Sequence, residues 1–209
     1  MAHIPDGLLS APVLLGEGAI AVACVAVALR RLDDSRIPQV AILAAMFFVV
    51  SLLAIPIGPS SVHLLLSALM GLTIGLATFP AVMVGLVLQS LLFGFGGLTT
   101  LGVNTLNIAL PGVICGWLFL PIIRRLPPGR GAVAGFVCAA LSVAGTAGGV
   151  ALALALSSSD FVPSAKVLVA AYVPLIIGEG LITAFAVAFL KRVRPETFAG
   201  RTLGEARAA

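Results

Sequence analysis

Apolar residues recur along this 209-residue chain in long runs, with few polar positions between them. The runs predict membrane-spanning helices, because a helix satisfies its own backbone hydrogen bonds in lipid. The predicted spans are 12–29, 37–57, 62–77, 79–94, 107–123, 131–156 and 167–190. We therefore expect an all-α membrane protein, a bundle of about seven transmembrane helices that forms a single domain over residues 1–209.

Two of the predicted spans are short. Segments 62–77 and 79–94 fall below the roughly 20 residues that a hydrocarbon core requires, so they are either tilted partners or a re-entrant pair. The stretch 94–107 that follows them is uncharged and rich in glycine. We expect it to form an extracytoplasmic loop, either re-entrant or on the surface, whose amides can line a cavity.

Composition and charge agree with a bilayer location. Hydrophobic residues make up 60% of the chain and charged residues only 10%, whereas soluble domains carry about 25% charged residues. All of the twelve Lys and Arg residues except Lys166 follow the first, fifth or last span. Positive residues mark cytoplasmic loops, so we expect the N-terminus outside and the tail 195–209 in the cytoplasm. The basic charge then reflects topology in the cell (inner, cytoplasmic) membrane rather than a nucleic-acid partner.

The first residues carry the strongest candidate chemistry. The chain holds two histidines, His3 and His63, and His3 lies beside the N-terminus. A free α-amine, the next peptide nitrogen and that residue's imidazole can close two fused chelate rings on one metal ion. His63 is the obvious fourth donor, and planar nitrogen ligands favour Ni(II) or Cu(II). Residues 1–9 are thus a predicted metal-binding segment, although His63 can alternatively be a helix-end histidine bonded to a carbonyl.

The fate of Met1 decides the ligand set. If Met1 is removed, Ala2 supplies the amine, His3 supplies an amide and an imidazole, and His63 completes the square. If Met1 is retained, its amine, the amides of Ala2 and His3, and the His3 imidazole fill the square without His63.

Several polar residues are candidates to support this site. Asp6 lies in the turn sequence Pro5-Asp6-Gly7 and is predicted to be a local structural brace. Asn104 and Asn107 are predicted to orient the ligating imidazoles, and Asn107 is alternatively a helix N-cap. Ser61, next to Ser60, is predicted to cap a helix and so to fix the direction of the His63 ring.

Two carboxyl groups, on Glu17 and Glu179, lie inside predicted spans. A carboxyl in lipid costs roughly 2.5–3.5 kcal/mol, so each should face the bundle interior or be protonated. We interpret Glu179 as a partner in an interhelical hydrogen bond. Alternatively, it is the proton site of a self-sufficient secondary transporter for transition metals. The sequence contains no catalytic triad, HExxH or phosphate-cradling motif, so we expect neither an enzyme nor a bound cofactor.

Three sequence segments together resemble the CbiM/NikM family, the substrate-capturing components of energy-coupling-factor importers for cobalt and nickel. They are Met1-Ala2-His3-Ile4-Pro5-Asp6-Gly7, Ser61-Val62-His63-Leu64-Leu65 and the stretch 93–107. The resemblance implies seven helices, an outward N-terminus and a site of four nitrogens, from the terminal amine, the adjacent histidine's amide and imidazole, and a second histidine. His3 and His63 match these positions. The family places its first histidine second, so equivalence requires the loss of Met1.

The resemblance also implies partner proteins: a membrane coupling protein, two ATPase subunits and usually a small accessory membrane protein. This chain has no Walker motif, so ATP must be hydrolysed elsewhere. Ala41 and Ala45, four residues apart in the second span, are candidates for the partner contact, with ordinary packing inside the bundle as the alternative. We therefore expect a capture subunit that takes Ni²⁺ or Co²⁺ from the outer face.

Overall fold

The computed structural model describes residues 4–52, 54–57 and 60–198, and this part of the chain is almost entirely helical. An antiparallel hairpin of two short strands connects the second helix to the third. The elements in chain order are α1 (Ala11–Arg30), α2 (Ile37–Ser51), β1 (Ala54–Ile57), β2 (Ser60–His63), α3 (Ser67–Ile74), α4 (Thr78–Phe93), α5 (Leu101–Arg125), α6 (Pro128–Ser157) and α7 (Val162–Val193).

Six helical segments in the described ranges are long and apolar enough to cross a membrane. They are Ala11–Arg30, Asp34–Ser51, Ser67–Phe93, Leu101–Arg125, Pro128–Ser157 and Val169–Val193. The predicted all-α, multi-pass architecture is therefore confirmed.

Two predicted boundaries before α4 are wrong. The second span was expected to reach residue 57, but α2 ends at Ser51 and the chain continues into β1. Pro56 explains part of this difference, because a proline favours extended backbone in the residue before it. The predicted span 62–77 was expected to be helical from residue 62, but α3 begins at Ser67; it is separated from α4 at Gly75, whose φ is 55°.

Helix α5 begins earlier than expected. It starts at Leu101, with Thr100 at the N-cap position, so residues 101–107 are helical and the loop is confined to 94–100. Asn107 therefore lies inside the helix, and its predicted role as an N-cap is wrong. The glycines that favour a loop lie at 94, 96, 97 and 102, whereas Asn104 and Asn107 are both buried within the bundle as part of the helix.

Helix α3 lies at the centre of the bundle, and all eight of its residues, Ser67–Ile74, are buried. A Cβ atom added at Gly112 of α5 would collide with the carbonyl oxygen of Ser67, so the two backbones touch directly. Small residues permit such close approach between membrane helices. The hydroxyls of Ser67 and Ser142 are hydrogen-bonded at 3.0 Å and join α3 to the middle of α6.

Polar contacts show which helix ends lie together. The Arg36 Nη2 atom, at the start of α2, donates to the carbonyl oxygen of Thr73 at 2.9 Å. The last turn of α3 therefore lies towards the end of the bundle at which α2 begins. At the opposite end, the Ser10 N–H donates to Ser157 Oγ at 3.1 Å and joins the start of α1 to the end of α6.

We expect Gly112→Ala to lower the melting temperature of the detergent-solubilised protein, because the added methyl group would press on the Ser67 carbonyl and cost about 1–3 kcal/mol. Gly148→Ala in α6 is the matched control, since a Cβ there meets no atom within 4 Å. That change should leave the melting temperature unchanged or raise it, because alanine is the better helix former. Thermal unfolding followed by circular dichroism measures both variants. Equal melting temperatures would contradict the backbone contact.

Candidate functional site

Asn104 holds the N-terminal segment against the start of α5. The Ile4 N–H donates to Asn104 Oδ1 at 3.0 Å, and Asn104 Nδ2 donates back to the Ile4 carbonyl oxygen at 3.1 Å. The Thr100 hydroxyl donates to the same carbonyl at 2.7 Å. Ile4 is buried and packs in an apolar cluster with Leu9 and Val103. The backbone one residue after His3 is therefore fixed within the bundle.

Asp6 fastens the same segment to the loop before α5. Its carboxylate accepts hydrogen bonds from the N–H groups of Leu98 (3.2 Å), Thr99 (3.0 Å) and Thr100 (3.3 Å), and from the Thr99 hydroxyl. A side chain at Gly97 would collide with this carboxylate. Asp6 is thus a brace, but the prediction that it acts locally is wrong, because its partners lie more than 90 residues away in sequence.

These hydrogen bonds stabilise the charged form of Asp6. The side-chain hydrogen bond from Thr99 is the largest cause that lowers the pKa of Asp6 below its ordinary value, and the three N–H groups lower the pKa further. Asp6 is exposed and precedes α1, so these hydrogen bonds lie at the end of the bundle, outside the membrane-spanning helices.

His63 lies at the end of β2 and is buried, with 4% of its surface exposed. Its Nδ1 atom lies 3.0 Å from the carbonyl oxygen of Leu64. A carbonyl can only accept, so this contact favours the tautomer in which Nδ1 carries the proton and Nε2 carries the lone pair. Metal-ligating histidines commonly have this arrangement, in which the non-ligating nitrogen donates to a backbone carbonyl.

The chain that follows His63 contacts Glu179 of α7. Glu179 is fully buried, and its Oε1 atom accepts hydrogen bonds from the N–H groups of Leu65 and Leu66. The expectation that Glu179 faces the bundle interior is correct. Its partner is the non-helical segment before α3, so the expected hydrogen bond to another helix is replaced by bonds to this backbone.

Asn107 contacts the other intramembrane carboxyl. Its Nδ2 atom donates to Glu17 Oε2 at 3.2 Å and joins α5 to α1. Asn107 was predicted to orient a ligating imidazole, but the described part of the chain shows its side chain bonded to Glu17 instead. Asn104 does contact the segment that carries His3.

The other predicted site residues fall in different places. Met1, Ala2 and His3 lie outside the described residues. Ser61 belongs to β2, where its side chain is not described, and α3 begins at Ser67, so Ser61 does not cap that helix. Ala41 and Ala45 are both exposed on α2. The alternative that these two alanines pack inside the bundle is therefore wrong.

No group of three His, Cys, Asp or Glu side chains that could hold a metal occurs in residues 4–52, 54–57 and 60–198. The predicted site does not require such a group, because two of its four ligands are main-chain nitrogens. Thr99 and Thr100, which hold the N-terminal segment, are not among the residues predicted from the sequence. The signal was present, since two threonines directly before an apolar run are typical of a helix start.

Nearly the whole chain is similar to known metal transport proteins. A family model described as CbiM, "Cobalt uptake substrate-specific transmembrane region", matches residues 3–197. A Haemophilus influenzae protein named for metal transport is 36% identical over 205 residues, which cover 93% of this chain and 95% of that protein. The cobalt transport protein CbiM of Sorangium cellulosum is 32% identical over 213 residues and 93% of each chain. The crystal structure of a truncated transition metal transporter matches with a TM-score of 0.72 and 25% identity, over 93% of this chain and 98% of that one.

We expect Asp6→Asn to lower the melting temperature at neutral pH. The loss should be roughly 2–4 °C if the hydrogen bonds of Asp6 together contribute about 1 kcal/mol. Because folding lowers the pKa of Asp6, the carboxylate's contribution is fully present above about pH 4 and is lost as the pH falls through the folded-state pKa. Melting curves of both proteins between pH 7 and pH 3 should therefore converge in acid. Asp160→Asn, at an exposed position before α7, is the control. A pH-independent difference would contradict the role of the charge.

Proposed function

Because the chain belongs to the CbiM/NikM family of metal transport proteins, we propose that it is the substrate-capture subunit of an energy-coupling-factor importer for Ni²⁺ or Co²⁺. The single observation that carries this proposal is the clamp on Ile4. Asn104 and Thr100 fix the main chain one residue after His3, so a terminal chelate built on His3 has a rigid support.

The proposed site binds one ion through four nitrogens. They are the terminal amine of Ala2 after loss of Met1, the amide and imidazole of His3, and Nε2 of His63. The contact of His63 Nδ1 with the Leu64 carbonyl supports this assignment, because it favours the tautomer whose Nε2 can bind a metal. A planar set of nitrogens favours nickel slightly over cobalt.

We propose seven crossings, of which the third is only partly helical. In this topology the chain enters from the outer face at β2, follows residues 64–66 inward and completes the crossing with α3. The hydrogen bond of Ser67 to Ser142 near the middle of α6, and that of Thr73 to Arg36, support this path. Helix α4 then returns outward. The N-terminus lies outside, the tail lies in the cytoplasm, and the basic residues obey the positive-inside rule.

The importer also requires proteins that hydrolyse ATP, because this chain has no Walker motif. We propose a membrane coupling protein, two ATPase subunits and a small accessory membrane protein as partners. Ala41 and Ala45 are exposed and one helical turn apart on α2, which supports their role in contacting the coupling protein. A self-sufficient transporter predicts a different result: metal uptake by the purified chain in ATP-free vesicles under a proton gradient.

We expect the purified chain to lack Met1 and to bind one Ni²⁺ or Co²⁺ ion. Intact mass determines the state of the terminus, and calorimetric titration measures binding by the wild type, His3→Ala and His63→Ala. Either variant should lose the ion or bind it far more weakly, since each removes at least one of four ligands. Asp160→Ala, far from both histidines in sequence and exposed, is the control. Absence of binding by the wild type would contradict the proposal, and full binding by His63→Ala would exclude His63 as a ligand.

Asn104→Ala should weaken metal binding by roughly 10–100-fold, the usual effect of removing a residue that positions a metal ligand. The main chain after His3 would then lose both hydrogen bonds from this side chain. Thr105→Val is the matched control, because the Thr105 hydroxyl donates only within α5, to the Leu101 carbonyl. The same titration measures both variants. Equal losses would show that any change in this part of α5 disturbs the site, and would contradict a specific role for Asn104.

A further inference from the structure

The segment between His63 and α3 presents buried main-chain groups. Residues 64–66 form neither helix nor strand, and Leu65 and Leu66 are 0% and 3% exposed. A buried N–H group without an acceptor costs about 1–3 kcal/mol, and lipid supplies no acceptor. This segment therefore depends on a polar side chain from elsewhere in the bundle.

Glu179 supplies that acceptor. Its Oε1 atom accepts from the N–H of Leu65 and from the N–H of Leu66, the latter at 2.9 Å. Leu66 has a left-handed backbone, with φ 51° and ψ 13°, and is the one non-glycine residue with positive φ in the described ranges. This conformation costs a leucine about 1–2 kcal/mol, so the carboxylate stabilises an otherwise unfavourable turn.

The surface of α7 around Glu179 fits this segment. A Cβ atom added at Gly178 would be in van der Waals contact with Leu64 Cδ2, at 3.8 Å. At Gly180, an added Cβ atom would collide with the ring of Phe136, so glycine permits close packing of α6 there. Gly178 therefore lies beside the segment that Glu179 binds, and Gly180 lies against α6.

One peptide group connects Glu179 to His63. The carbonyl of Leu64 and the N–H of Leu65 belong to the same peptide. Its N–H donates to Glu179 Oε1, and its carbonyl oxygen lies 3.0 Å from His63 Nδ1. Hydrogen bonds in such a series polarise one another, so an oxygen that accepts from the N–H makes the carbonyl a stronger acceptor. This series of hydrogen bonds resembles the carboxylate–histidine pair of many metal sites, with one peptide group inserted between the two side chains.

We propose that Glu179 is a positioning residue of the metal site and acts through the peptide between Leu64 and Leu65. It fixes the depth of His63 in the bundle and holds the imidazole in the tautomer whose Nε2 binds the ion. The inference rests on the proposed function, since it requires His63 to be a ligand. It assigns Glu179 to binding rather than to proton transport.

The test is a double-mutant cycle on the full chain, with Ni²⁺ as the probe. Glu179→Ala should weaken binding by roughly 10–100-fold and shift the visible absorption of bound Ni²⁺ in the same direction as His63→Ala does. In the His63→Ala background, Glu179→Ala should have no further effect on affinity or spectrum, because Glu179 acts on the site only through His63. Thr183→Ala, one turn along α7, is the matched control for a buried polar residue.

Two further variants separate geometry from charge and serve if Glu179→Ala does not fold. Glu179→Gln retains an oxygen that can accept from both N–H groups, so it should bind Ni²⁺ nearly as well as the wild type. Glu179→Asp retains the charge but withdraws the acceptor by one carbon, so it should bind more weakly than Glu179→Gln. The reverse order would overturn the inference.

Each negative result has a separate meaning. A wild type that binds no Ni²⁺ or Co²⁺ overturns the proposed function, and the inference falls with it. If the wild type binds and His63→Ala weakens binding, but Glu179→Ala binds normally, only the role of Glu179 is overturned. Equal losses from Glu179→Ala in the presence and absence of His63 also overturn it, because they indicate a general effect on the fold.

Discussion

The structure depends on one constraint, the need of every main-chain polar group in a lipid environment to find a partner inside the protein. A helix satisfies its own main-chain groups, but residues 4–10 and 64–66 are not helical and lie against the bundle. The N-terminal segment obtains partners from Asn104 and Thr100, and its Asp6 carboxylate in turn accepts from N–H groups of the loop before α5. The segment after His63 obtains them from Glu179. The same side chains that satisfy these backbones also determine where the two histidine-bearing segments lie.

This arrangement would allow the proposed metal site to form with few ligating side chains. Main-chain nitrogens can replace side-chain donors only if the chain is held rigidly, because a flexible terminus would lose much entropy on closing the chelate rings. In the proposed site, the clamp on Ile4 limits that loss. The buried position of His63 has the same effect for the second segment, since its ring is already directed by the Leu64 carbonyl.

Much of the architecture follows from sequence, because lipid permits few alternatives and apolar runs mark the helices directly. The family also follows, since three short sequence motifs carry the resemblance to it. The role of the two histidines stays a prediction. The start of α5 differs from the prediction because the Gly-rich stretch ends earlier, and Asn104 and Asn107 lie inside the helix, where they contact partners within the bundle. The partners of Asp6 and Glu179 lie far away in sequence, and periodicity contains no information on such pairs.

The central claim is that the N-terminal segment and His63 bind one ion together. Anomalous diffraction from crystals of the Ni²⁺-loaded protein, recorded on both sides of the nickel absorption edge, tests it most directly. The account predicts one nickel peak about 2 Å from His63 Nε2, with the terminal amine and the amide and imidazole of His3 completing a plane of four nitrogens. A nickel peak remote from His63, or one surrounded by oxygen ligands, would contradict the account.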